Sequence, residues 1–209
     1  MDLDLDVGQW IIIALSAFLF LWYFYANTAN RKQGIATYRW LRQCLEIYGK
    51  VSSAEWIGAS NMGARLMVEK ATSPLRRVQA HYLLEPREFL PYWLASRLRG
   101  KRDRVVIQGE LRIPPNGSLE IRRVAARHAS TLPGDERIHR DFQIVHADTE
   151  STSMMASVEE YLASSGSIVE RIVIRRHAPH LELHASLKPL VRASAESYLS
   201  PLLALCHSL

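Results

Sequence analysis

Cysteine is nearly absent: Cys44 and Cys206 are the only two in 209 residues. That number excludes a disulfide-stapled scaffold. No G-x-S-x-G elbow is present, and neither cysteine carries the local signature of a thiol enzyme, so nucleophilic catalysis has no anchor. A phosphate loop is missing too. The nearest approach, Gly58 to Arg65, places Ala64 and Arg65 where Lys and then Ser or Thr are needed for the phosphates and magnesium. No Lys or Arg stands before Arg31. Low complexity is lacking as well: apolar residues make up 48% and charged residues 22% of the chain. That balance excludes disorder, collagen and a multi-span membrane protein. No motif calls for a cofactor, and none is expected. The length suits one membrane segment with one ordinary domain, or two very small domains.

What is present begins with charge asymmetry. The formal net charge is +5. Asp2, Asp4 and Asp6 stand in the first six residues, so the rest of the chain sets 26 bases against 18 acids, a net +8. Between these parts Val7–Ala26 reads VGQWIIIALSAFLFLWYFYA without a charge. Twenty residues of helix span about 30 Å, the thickness of a bilayer's hydrocarbon core. The run is apolar all round, unlike an amphipathic surface helix. Trp10 near one end and Trp22, Tyr23 and Tyr25 near the other suit interfacial aromatic belts. A cleaved signal peptide needs a basic start, a shorter core and a small-residue cleavage site. Here the start is acidic and the end bulky, so a retained transmembrane helix is expected. Arg31, Lys32, Arg39 and Arg42 follow the run, and the positive-inside rule places the C-terminal domain in the cytoplasm of a cell-membrane protein, with residues 1–6 outside.

Residues 27–35 are polar, contain Gly34, and read as a short juxtamembrane hinge. Domain residues 36–209 follow. Tyr38, Leu41, Cys44, Leu45 and Tyr48 recur at helical spacing, with Gly49 as a stop. This segment reads either as an interfacial helix, with Trp40, Arg39 and Arg42 among lipid headgroups, or as the first helix of the domain. Its ordinary amphipathicity and Glu46 favour the second. Runs 51–58 and 64–71 flank a link with Asn61 and Gly63 and predict a hairpin. A third strand is expected over 77–84 and a helix over 87–99, with Pro91 in its first turn. Alternation over 104–113 and 118–124, around Pro114-Pro115-Asn116-Gly117, predicts a second hairpin with one buried and one wet face. A loop over 125–140, a strand over 142–147, a helix over 151–164, a hairpin over 168–187 and a helix from Pro189 to Leu205 complete the chain. Strands that come in groups, not singly between helices, give an α+β class: one N-terminal transmembrane helix, then a mainly antiparallel sheet with about four helices.

Two constellations bear on chemistry. His177, His180, Glu182 and His184 crowd the last hairpin. On a strand, His180 and His184 stand about 13 Å apart, too far to share one ion. His177, His180 and Glu182 with His146 remain the metal candidates, and an exposed polar hairpin face is the simpler account. The second constellation is basic: Arg97, Arg99, Lys101, Arg102 and Arg104, opposed only by Asp103, with Arg122 and Arg123 further on. These are candidates for an anionic surface, each worth about 1 kcal/mol at an acidic leaflet. Aromatic interleaving and recognition motifs for nucleic acid are missing, which argues against that partner. The expectation is a non-enzymatic accessory or scaffold subunit that binds a protein partner at the membrane. Its rivals are a membrane-tethered hydrolase or metal-dependent enzyme using the His177–His184 region, and an electrostatic module for anionic lipid or nucleic acid.

Overall fold

A computed structural model describes residues 6–124, 135–139, 141–146, 152–192 and 195–209. The acidic tail up to Leu5 lies outside them. Helix α1 (Val7–Glu46) runs 40 residues without a break. The Gln9 side chain accepts the Asp6 backbone N–H at 3.1 Å and caps its start. Its two halves differ in surroundings. Up to Tyr25 the apolar side chains are exposed almost without exception. From Ala26 onward a stripe of Ala26, Asn30, Gly34, Thr37, Leu41, Cys44 and Leu45 is buried. Those steps of three and four form one helix face. The expected hinge at 27–35 is therefore corrected: those residues are helical. The stripe continues through them in small and polar side chains, which an apolar pattern overlooks.

Among the described residues the sheet contains nine strands, all paired antiparallel: β1 (Ser53–Trp56), β2 (Gly63–Val68), β3 (Leu75–Leu83), β4 (Arg104–Leu111), β5 (Leu119–Arg123), β6 (Asp135–His139), β7 (Phe142–His146), β8 (Val169–Ile174) and β9 (Leu181–Ser186). Their order is β1-β2-β3-β4-β9-β8-β5-β7-β6. The remaining helices are α2 (Leu90–Leu98), α3 (Thr152–Ser165), α4 (Leu187–Arg192) and α5 (Ala195–Ser208). The α+β class stands as expected.

Two local expectations change. Strand β4 alternates as foreseen, β5 is buried on both faces from Leu119 to Arg122, and the two do not form a hairpin. Arg112 N–H bonds to Pro74 O at 2.9 Å, extending the partnership of β4 with β3, while β9 occupies its other edge. Strand β5 sits between β8 and β7. Alternation sets which face a residue takes, not which strand lies beside it. The segment 125–140, expected as loop, contains β6; residues 125–134 and 140 lie outside the described set.

The second half of α1 packs on β2 and β3, and α5 packs on α1 and α3. Leu41, Leu45, Tyr48, Leu66, Tyr82, Ile107, Leu119, Ile121, Ile172, Ile174, Leu183, Val158 and Leu205 are among the buried residues of that single core. The other sheet face carries polar side chains, yet it is not uniformly wet. Glu120 and Val173 are fully buried there, and Glu120 accepts a 2.9 Å bond from Arg171 Nε.

Candidate functional site

The junction between the two halves of α1 is where the domain grips the helix. Gly34 lies against the β1–β2 turn so closely that an added Cβ would stand 2.1 Å from Ser60 O. Tyr82, buried in β3, donates its hydroxyl to the Gly34 carbonyl at 2.7 Å. Burial pushes its phenol pKa upward, so it stays a donor across the working pH range. Asn61 of the same turn donates to Asn27 Oδ1 and Glu88 Oε1, both at 2.8 Å.

A polar clamp lies beside it. Asp103 is buried, and its carboxylate accepts from Arg87 at 2.5 Å, from Gln33 at 2.9 Å and from the Glu85 N–H at 2.9 Å. Arg87 also donates to Asn30 Oδ1 at 2.8 Å and Gln33 Oε1 at 2.7 Å, and Asn30 donates to Glu85 O at 2.8 Å. Three segments distant in sequence thus share one network around the Arg87–Asp103 pair, the arrangement in which a buried ion pair is tolerated, while Glu85 Oε1 is left without a partner among the described residues.

Above the clamp, Trp22 donates its indole N–H to Arg87 O at 2.9 Å, and its ring lies 5.6 Å from that of Trp93 in α2. Helix α2 is held there by one flank, Trp93 and Arg97, with the Arg97 guanidinium 5.4 Å over the Trp93 ring. A second flank, Tyr92, Ser96 and Arg99, lines a cavity of about 810 Å³. Apolar side chains are also left open: Leu94 is 51% exposed, Leu98 at the cavity mouth 82%, and Phe89 just before the helix 66%.

The cavity has the size of a small-molecule site. Leu83, Leu84 and Val106 give it apolar walls, and Arg99, Lys101, Arg102 and Arg104 a basic rim. His81 and His184 reach it from the polar sheet face. Burial, then the charges of Arg65 and His184, lower the His81 pKa below the ordinary histidine value. His184 Nε2 lies 2.6 Å from Glu182 Oε1, and that hydrogen bond is the chief cause of the lowered Glu182 pKa.

The basic candidates divide into two groups. Arg97, Arg99, Lys101 and Arg102 surround the end of α2. Among the described residues Arg99, Lys101 and Arg102 form no ion pair; Arg102 donates only to the carbonyls of Arg97 and Lys101. Asp103, which the sequence sets among them, is taken by Arg87. Arg104 pairs with Glu170 at 3.3 Å. Arg122 and Arg123 sit three strands away on β5. Arg122 is nearly buried against Gln143 and Glu136, while Arg123 covers Phe142 and donates to Val169 O. Arg31, Lys32 and Arg39 are exposed on α1, and Arg42 pairs with Glu46 at 3.1 Å.

The histidine candidates are likewise spread apart. His180 is buried, and its Nδ1 accepts the Leu111 N–H at 2.9 Å, a bond that ties two strands together. His177 is exposed in the turn. Glu182 and His184 pair with each other, and His146 is described by its backbone alone. Among the described residues no three His, Cys, Asp or Glu gather as a metal site. Both cysteines are buried, and burial raises each thiol pKa to about 12, so neither is a nucleophile.

Sequence reasoning overlooked the clamp residues Asn30, Gln33 and Arg87. The readable signal was the step of four from Ala26 to Asn30 to Gly34; Arg87 had none. No protein-family model and no curated protein sequence matches this chain.

Proposed function

We propose that this protein is a single-pass membrane-anchored accessory or scaffold subunit, without catalytic activity of its own, that binds a protein partner at the cytoplasmic face of a cell membrane. One observation carries the reading: a single unbroken helix changes from exposed apolar residues to core packing at Ala26. From Val7 to Tyr25 that exposed part is about 28 Å long at 1.5 Å per residue, a hydrocarbon thickness. In water it would be a large contiguous apolar surface, which soluble monomers avoid. The exposed cations Arg31, Lys32 and Arg39 follow it and support an inward-facing domain. The grip at Gly34 and Asp103 gives the domain a fixed posture on its anchor, as suits a part that presents a surface to a neighbour.

The test has two stages. Alkaline carbonate washing of membranes should leave the protein in the pellet, and added protease should cut the domain only from the cytoplasmic side. Crosslinking in those membranes, followed by native purification, should then recover a stoichiometric partner. Recovery of monomer alone refutes the scaffold reading, and release by carbonate refutes the anchor. The rival metal-dependent enzyme at His177–His184 calls for bound zinc or another transition metal in the purified chain, and metal analysis decides it.

A further inference from the structure

We infer that α2 is a second, peripheral membrane contact: the exposed Phe89, Leu94 and Leu98 at and beside it lie in the headgroup layer of an anionic lipid leaflet, with Arg99, Lys101 and Arg102 on the lipid phosphates. This rests on the reading of α1 as a membrane span. Four observations carry it. The first is depth. Trp22 stands one helical turn before Ala26, at the end of the exposed apolar run, and it holds both Arg87 O and the Trp93 ring. Helix α2 is thereby fixed at the level where the span ends. The second is direction. Trp93 faces α1, Tyr92 and Arg99 face the cavity, and Leu94 is left exposed together with Leu98, which stands at the cavity mouth.

The third observation is charge. Arg99, Lys101 and Arg102 are exposed, without an ion pair among the described residues, and the one acid in the segment is consumed by Arg87. Apolar residues beside a cationic cluster are the composition of an interfacial helix that prefers acidic lipid. Leucines buried in the acyl boundary and long cationic side chains reaching back to phosphate can be satisfied together. The fourth is rigidity. The helix is unbroken through 27–35, so α2 has no hinge on which to swing away from the surface.

The full chain is tested in nanodiscs. An environment-sensitive fluorophore is attached at Leu98→Cys, and in a separate protein at Phe18→Cys in mid-span; the native thiols, buried with raised pKa, stay unlabelled. Brominated phosphatidylglycerol or brominated phosphatidylcholine is added at equal mole fraction. Both should quench Phe18→Cys alike. At Leu98→Cys the anionic quencher should act more strongly, at about fivefold local enrichment per cation–phosphate contact of about 1 kcal/mol. That preference should disappear in high salt and in a protein also carrying Arg99→Gln, Lys101→Gln and Arg102→Gln. A Leu98 probe left unquenched while the Phe18 probe is quenched overturns the proposal and leaves the span intact. Equal quenching of Leu98 by both lipids overturns the choice of an anionic leaflet. Shielding of the Leu98 probe by duplex DNA, without lipid quenching, overturns it in favour of nucleic acid. An unquenched Phe18 probe removes the span and this proposal together.

Discussion

Asp103→Ala should be among the most damaging single changes outside the apolar core. The carboxylate is 3% exposed and holds three donors: Arg87 at 2.5 Å, Gln33 at 2.9 Å and the Glu85 N–H at 2.9 Å. Its removal leaves the Arg87 guanidinium, 15% exposed, with only the amide oxygens of Asn30 and Gln33. Breaking a buried pair from one side costs about 3–5 kcal/mol, because the stranded charge stays desolvated. For a chain of this size each kcal/mol moves the melting temperature by about 2–4 °C, so the expected drop is on the order of 10 °C. The assay is thermal unfolding of the full chain in detergent micelles, followed by tryptophan fluorescence, since Trp22 is bonded to the Arg87 carbonyl. The decisive companion is the double variant Arg87→Met with Asp103→Leu. It discards both charges, and apolar replacement of a buried pair is often nearly neutral. It should therefore be more stable than Asp103→Ala despite carrying two changes. A drop below about 2 °C for the single variant, or a double variant as unstable as the two single losses added, refutes the claim that this network clamps α1 to the domain.

Other consequences follow from the same geometry. Gly34→Ala drives a Cβ to 2.1 Å from Ser60 O, a backbone atom that a rotamer change cannot relieve. A loss of about 1–3 kcal/mol in the same melting assay is expected, whereas Gly100→Ala meets no neighbour and costs only the strain of its positive φ. Tyr82→Phe removes the bond to Gly34 O and leaves a buried helical carbonyl one partner short, for about 1 kcal/mol. Acidification should weaken the fold in two windows. His81 has its folded pKa below the ordinary 6.5, so its stabilisation is complete above that value and is lost as pH falls below it. Glu182 is likewise lowered from 4.5, and its stabilisation fades only as pH falls below that range. His81→Gln should abolish the upper window and leave the lower. With thiols raised to about 12, Cys44 and Cys206 should resist a disulfide reagent at pH 8 until the chain is denatured; prompt labelling of the native protein refutes their burial.

Hydrophobic period is a local property, and wherever it decided the outcome the sequence was legible. The exposed run of α1, the β1–β2–β3 meander, the alternation of β4, and helix α3 with Met154, Val158 and Tyr161 inward could all be read residue by residue. The candidate site was less legible. Its cationic cluster was visible as composition, but which cations stayed unpaired was not, because Asp103 is drawn away by Arg87. The histidines looked like ligands in sequence and serve other ends in space: His180 accepts the Leu111 N–H of β4, and His184 pairs with Glu182 along β9.

The sequence by itself therefore determined the long apolar helix, the charge on either side of it and the α+β class, since each depends on neighbours within a few residues. Only the tertiary structure decided that β9 lies between β4 and β8, that no hinge separates the exposed apolar half of α1 from the domain, and that α2 sits beside Trp22. The physical reason is the same in each case. A strand's alternation or a helix's stripe specifies a face to be buried, but the partner that buries it is chosen by packing across the whole chain. At residues 27–35 the buried face is made of Asn30 and Gly34, whose place in the core depends on Glu85, Tyr82 and Ser60, some 26 to 55 residues away.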